Sequence, residues 1–138
     1  MTAPLEGVKV VEMTSVVLGP YACQSLGDLG ADVVKIEPPA GDTNRNLGPY
    51  RKHRDMASLF INCNRNKRSI VLDLKSENGK AAALEIMKDA DVVVHNFRPG
   101  AIDRLGLKPQ VRRKFMRNNV LRLYGLEDRF APAPEADA

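Results

Sequence analysis

A chain of 138 residues with 43% hydrophobic and 28% charged residues suits one globular domain, which argues against a disordered or fibrous class. The net charge of +4 does not mark a general nucleic-acid binder: residues through Leu107 hold 14 Lys and Arg against 13 Asp and Glu, and the excess lies beyond, where 7 stand against 4. Cys23 and Cys63 lie 40 positions apart, and His53 and His95 are isolated, so neither a disulfide framework nor a metal site is expected.

The N-terminal "MTAPLEG" has no charged-then-apolar leader, and no apolar run nears the roughly 18 residues that span a bilayer. The expectation is a cytoplasmic protein with no membrane contact. "VKVVEM", Val8 to Met13, reads as a buried strand. "PYACQSLGDLG" follows as a short helix, with Pro20 in its first turn and Gly30 at its C-cap. "ADVVKIE" is a second strand, which completes a βαβ unit with parallel strands. From Pro38 to Met56 the chain is rich in Pro, Gly, Asn and Arg without an apolar period, and an irregular surface loop is expected there.

"RSIVLDL" is the third strand, and Ser76 with Glu77 opens a helix to about Asp89 whose Ala83, Leu84, Ile86, Met87 and Ala90 can cover a sheet. "DVVVHNF" is the fourth strand. Alternating strands and helices define an α/β, Rossmann-like parallel sheet, whose ligands sit beyond the carboxyl ends of the strands. That rule selects Thr14 to Gly19, Pro38 to Asp42, Asp73 to Ser76 and Asn96 to Gly100. Beyond "IDRLGL", residues 108–125 read as a basic helix and strand, and residues 126–138 as a loose tail.

The glycine in "TSVVLGP" allows close approach to a ligand, but the stretch is not GxGxxG, so dinucleotide binding by the usual route is disfavoured. "NRNKRSIVLDLK", Asn64 to Lys75, places Arg65, Lys67 and Arg68 before the third strand and Lys75 after it. These cations form either a solvated turn or a phosphate contact. Seven residues at strand rise separate Arg68 from Lys75 by about 23 Å, so the two ends cannot serve one phosphate. In "NFRPG", Asn96 can donate and accept, and Phe97 can lie against a flat heteroaromatic ring; a polar turn with one buried aromatic is the alternative. No nucleophile and base are paired by spacing, and there is no GxSxG.

Three blocks, "PLEGVKVVEMTSVVLGPYACQSLGDLGADVVKIEPPAGDTNR", "NRNKRSIVLDLK" and "ADVVVHNFRPGAIDRLGL", resemble in order and spacing the opening of the class III coenzyme A transferases, the CaiB/BaiF family that includes formyl-CoA transferase. The likeness runs from Pro4 to Leu107, making residues 1–107 the N-terminal region of that fold. It implies a Rossmann-like domain in an interlocked homodimer, incomplete here, and transfer of coenzyme A between an acyl-CoA and a carboxylic acid. It also implies that Val16, Val17 and Leu18 form a first loop against the coenzyme, that Leu72 and Lys75 lie near its adenine and phosphates, and that Asn96, Phe97 and Arg104 make further contacts. Pro38 stands where the family has an arginine, so that contact is lost or falls to Arg45 or another residue.

The aspartate that carries the acyl group in the family has no counterpart in these residues, and Asp137 lacks its context, so no catalytic residue is assigned. A truncated chain that binds coenzyme A weakly and does not turn over is expected. Two alternatives stand beside this one: an alpha-methylacyl-CoA racemase-like fragment, and a non-catalytic module whose Lys108 to Arg122 segment meets nucleic acid or an acidic partner. Nucleic acid is disfavoured because only Phe115 and Tyr124 accompany those cations.

Overall fold

The computed structural model describes residues 2–49, 53–98 and 101–106. Residues to Ala101 form one compact unit, and 102–106 belong to a second. In the first, β1 (Lys9–Met13), β2 (Asp32–Glu37), β3 (Lys67–Val71) and β4 (Val92–His95) build one parallel sheet in the order β3-β2-β1-β4. Helices α1 (Leu18–Asp28), α2 (Ser58–Asn64) and α3 (Glu77–Lys88) connect the strands, as parallel pairing requires. The fold class expected from the alternating pattern is the one observed. Among the described residues no helix is long and apolar enough to cross a membrane.

Alternation along the strands sorts the side chains onto two faces. Val10 of β1 and Val33 of β2 pack with Cys23 of α1 and Ala31, and Leu5, Val8, Leu26 and Val94 extend that apolar core. On the opposite face, Val11, Val34 and Ile70 share an open groove of about 560 Å³ with Ile86 and Ala90 at the end of α3.

Two local expectations are corrected, and one helix joins the expected elements. The loop after β2 is not a surface excursion throughout: Asp42 and Asn44 are buried, and Thr43–Asn46 forms a 3-10 turn capped by the Asp42 carboxylate. Helix α2 carries no strong helix signal because Ser, Phe, Ile, Asn and Cys are middling helix formers; Phe60 and Cys63, buried on its inner face, give it tertiary support instead. β3 ends at Val71 rather than Leu74, since Asp73 turns the chain by accepting from the Lys75 N–H at 2.9 Å and the Ser76 N–H at 3.0 Å. The basic segment 108–125 and the tail 126–138 lie outside the described residues.

Candidate functional site

The chain leaves β1 through α1 toward β2 on one side, while β4 lies on the other, so the strand order reverses between β1 and β4. Such a switch point opens a crevice at the carboxyl ends of the strands. Here the two strand ends are tied together. Asn96, just past β4, donates to the Ser15 carbonyl at 2.9 Å and accepts from the Ser15 N–H at 3.2 Å. Thr14 to Val17 link β1 to α1, and Val16, Val17 and Leu18 are exposed there, Leu18 to 85%. Gly19 is required at the turn, because a Cβ on it would stand 2.5 Å from the Thr14 Cβ. α1 begins at Leu18 without any side-chain cap, which leaves its first N–H groups without a side-chain acceptor.

A buried ionic network supports this loop. The Lys35 ammonium donates to Glu12 Oε1 at 2.9 Å and the Thr14 carbonyl at 2.8 Å, and pairs with Asp42 Oδ2 at 3.0 Å. Lys67 pairs with the other Glu12 oxygen at 2.7 Å and donates to the Pro20 carbonyl and Asn64 Oδ1 at 2.7 and 3.0 Å. Each ammonium thus has three partners, and the two lysines balance Glu12 and Asp42 in charge, as buried ions require. Thr14 adds a hydroxyl bond to Glu12 at 2.6 Å. Beside them, Glu37 holds Arg45 through two bonds of 2.6 and 2.7 Å and accepts from Ser69 at 2.5 Å and from the Asp42 N–H at 2.9 Å. Burial alone would raise the Glu37 pKa, but these donors, Arg45 foremost, outweigh it and hold the carboxyl at about 2. Cys23 stands over the network; burial first, and the nearby Glu12 charge second, push its thiol up to about 12, which removes it as a nucleophile.

The expected site residues fall into groups. Val16, Val17, Leu18 and Asn96 meet at the β1 and β4 ends, joined through Ser15. Phe97 follows, half-buried, its ring 5.5 Å from that of His95 and its N–H donating to His95 Nδ1 at 3.3 Å. Burial lowers the His95 pKa, favouring the neutral imidazole that this acceptor role needs. Leu72 and Lys75 sit past the end of β3, two strands from β1, roughly 10 Å away in the sheet. The Leu72 N–H donates to the Glu37 carbonyl at 2.9 Å, and Lys75 is exposed. Arg104 belongs to the second unit, in the exposed part of the 3-10 turn Ile102–Leu105.

The "NRNKRS" cations resolve into structural roles within the chain. Arg65 clamps Asp28 at the end of α1, Arg68 clamps Asp32 at the start of β2, and Lys67 is buried. Arg45 does not replace the arginine missing at Pro38 as a free cation, because its guanidinium is bound to Glu37 and lies 3.9 Å above the Phe60 ring. The sequence pattern does not single out Glu12, Lys35 or Asn44, and it reaches Asp42 only as the end of the Pro38 to Asp42 segment. One signal was present: Glu12 and Lys35 each interrupt an apolar strand on the inward alternation, and they face each other in register.

A Rossmann-like α/β domain with an apolar loop and an asparagine clamp at its switch point is the class these features define. The model of the family described as CoA-transferase family III matches residues 5–119, and the chain belongs to that family. It is 50% identical over 109 residues to the formyl-CoA:oxalate CoA-transferase of Streptomyces avermitilis, covering 77% of this chain and 26% of that protein. It is 47% identical over 104 residues to the acetyl-CoA:oxalate CoA-transferase of Acetobacter aceti, covering 75% and 26%. A CaiB/BaiF family protein from Brucella suis superposes with a TM-score of 0.74 at 41% identity, over 82% of this chain and 31% of that one. The chain thus spans about a quarter of the length of the curated relatives it matches.

Proposed function

We propose that this chain forms the coenzyme A-binding part of an enzyme that moves coenzyme A between an acyl-CoA and a carboxylic acid. The observation that carries the reading is the convergence at the switch point: the exposed Val16 to Leu18 loop, the uncapped α1 and the Asn96 clamp lie together on the strand-end edge of a chain from this family. Apolar side chains and a half-buried Phe97 suit the flat adenine and the pantetheine arm, while the α1 N–H groups and Lys75 suit phosphate oxygens. By resemblance alone, Arg104 is a further coenzyme contact. The relatives named above are transferases, which favours transfer over racemisation. A homodimer in the cytoplasm goes with the same reading.

The resemblance puts the acyl-carrying aspartate outside these 138 residues, so coenzyme binding is the direct test. In a calorimetric titration of the purified chain, coenzyme A should bind. Lys75→Ala should weaken it about tenfold and flatten its salt dependence, as loss of one charge-assisted contact does. Equal affinity in the wild type and in variants of Lys75, Asn96 and Phe97 would refute the assignment.

A further inference from the structure

Val16 stands at φ 72°, in the left-handed region, although it is β-branched and exposed. A β-branched residue there is a true outlier, and such a conformation persists only where the surroundings over-determine it. The surroundings here are specific. The Asn44 amide donates to the Val16 carbonyl, and Asp42 Oδ1 accepts from the Val16 N–H at 3.4 Å, so both backbone groups of the strained residue are engaged from one 3-10 turn.

That turn is itself fixed from below. Asp42 Oδ1 also accepts from the Asn44 N–H at 3.0 Å, its other oxygen pairs with Lys35, and its N–H is held by Glu37. Asn44 is fully buried. The two residues before Val16 are held too: the Thr14 carbonyl by Lys35 and Ser15 by Asn96. A loop that only joined β1 to α1 needs none of this, since unstrained connections of the same length are common.

We infer that Asp42 and Asn44 are positioning residues, which lock Val16 in the left-handed conformation and so shape the Val16 to Leu18 loop for its ligand. The inference rests on the coenzyme A reading of that loop. Neither residue reaches the exposed rim; both act through the Val16 backbone. With the lock released, Val16 relaxes to negative φ and turns its carbonyl and the following two apolar side chains away from the crevice.

The test measures coenzyme A affinity by titration, thermal midpoint, and the strong intraresidue amide-to-Hα NOE of Val16 that a positive φ gives. Asn44→Ala should lose the NOE and bind coenzyme A about tenfold more weakly, the scale of the strain it no longer holds. Adding Val16→Gly should recover much of that affinity, because glycine adopts positive φ without cost. Should Asn44→Ala fail to fold, Val16→Gly and Val16→Ala carry the test alone. Both remove the isopropyl group, so glycine should bind the coenzyme more tightly than alanine. Equal or reversed affinity in that pair, or a retained NOE and unchanged affinity in Asn44→Ala, overturns the inference while leaving the coenzyme reading intact. No binding by the wild-type chain defeats the reading itself.

Discussion

Lys67 and Arg68 are neighbours in one basic cluster, yet the fold gives them opposite surroundings. Lys67 is inside the sheet's polar network against Glu12, whereas Arg68 meets Asp32 at the surface, 69% and 51% exposed. Removing one partner of a buried pair strands the other charge, so Lys67→Met should cost about 3–5 kcal/mol in urea denaturation. Arg68→Ala should leave the midpoint nearly unmoved. Glu37 provides a pH test. Its folded pKa of about 2 lies below the ordinary 4.5, so its contribution of about 3 kcal/mol is fully present above pH 4.5 and is lost as pH falls through 2. Glu37→Gln should reduce the acid-limb slope between those values while lowering stability at pH 7. These roles were only partly legible. Alternation in "VKVVEM" and "DVVKIE" puts Glu12 and Lys35 on the core face, but Asp42 and Asn44 sit in a stretch with no period, and long-range bonds alone bring them inside.

At the scale of elements, the strands and α3 follow from local pattern, and α3 also from its cap. Ser76 accepts from the Gly79 N–H at 3.0 Å and donates to the Asp73 carbonyl at 2.8 Å. Ser76→Ala should therefore cost about 1 kcal/mol. Gly79 tests tertiary context against propensity. Alanine is the better helix former by up to about 1 kcal/mol, but a Cβ at Gly79 would lie 2.0 Å from the Asp73 carbonyl oxygen. Gly79→Ala should thus destabilise, by about 1–3 kcal/mol in the same assay, as an overpacked site does. Helix α2 is hard to read for the complementary reason: apart from Leu59 its residues are middling helix formers, and the buried Phe60 and Cys63, the packing of α2 on α1 and the Arg45 guanidinium over Phe60 support it instead. β3 and β4 end before their apolar runs do, because such a run does not show where pairing stops; Asp73 and Asn96 stop it by binding backbone groups.

On the scale of the whole molecule, four alternating strands define a parallel sheet, and the rule that ligands lie past the carboxyl ends selects Thr14 to Gly19, Pro38 to Asp42, Asp73 to Ser76 and Asn96 to Gly100 alike. The order β3-β2-β1-β4 then marks the gap between β1 and β4 as the centre of that edge. Under the proposed function this edge, and not the groove beneath α3, receives coenzyme A. Titrating the isotope-labelled chain with coenzyme A while following backbone amide shifts tests it most directly. Shifts should concentrate at Ser15 to Gly19, Leu72 to Lys75, and Asn96 and Phe97; shifts centred on Val11, Val34, Ile70 and Ile86, or none at saturating coenzyme, would contradict the proposal.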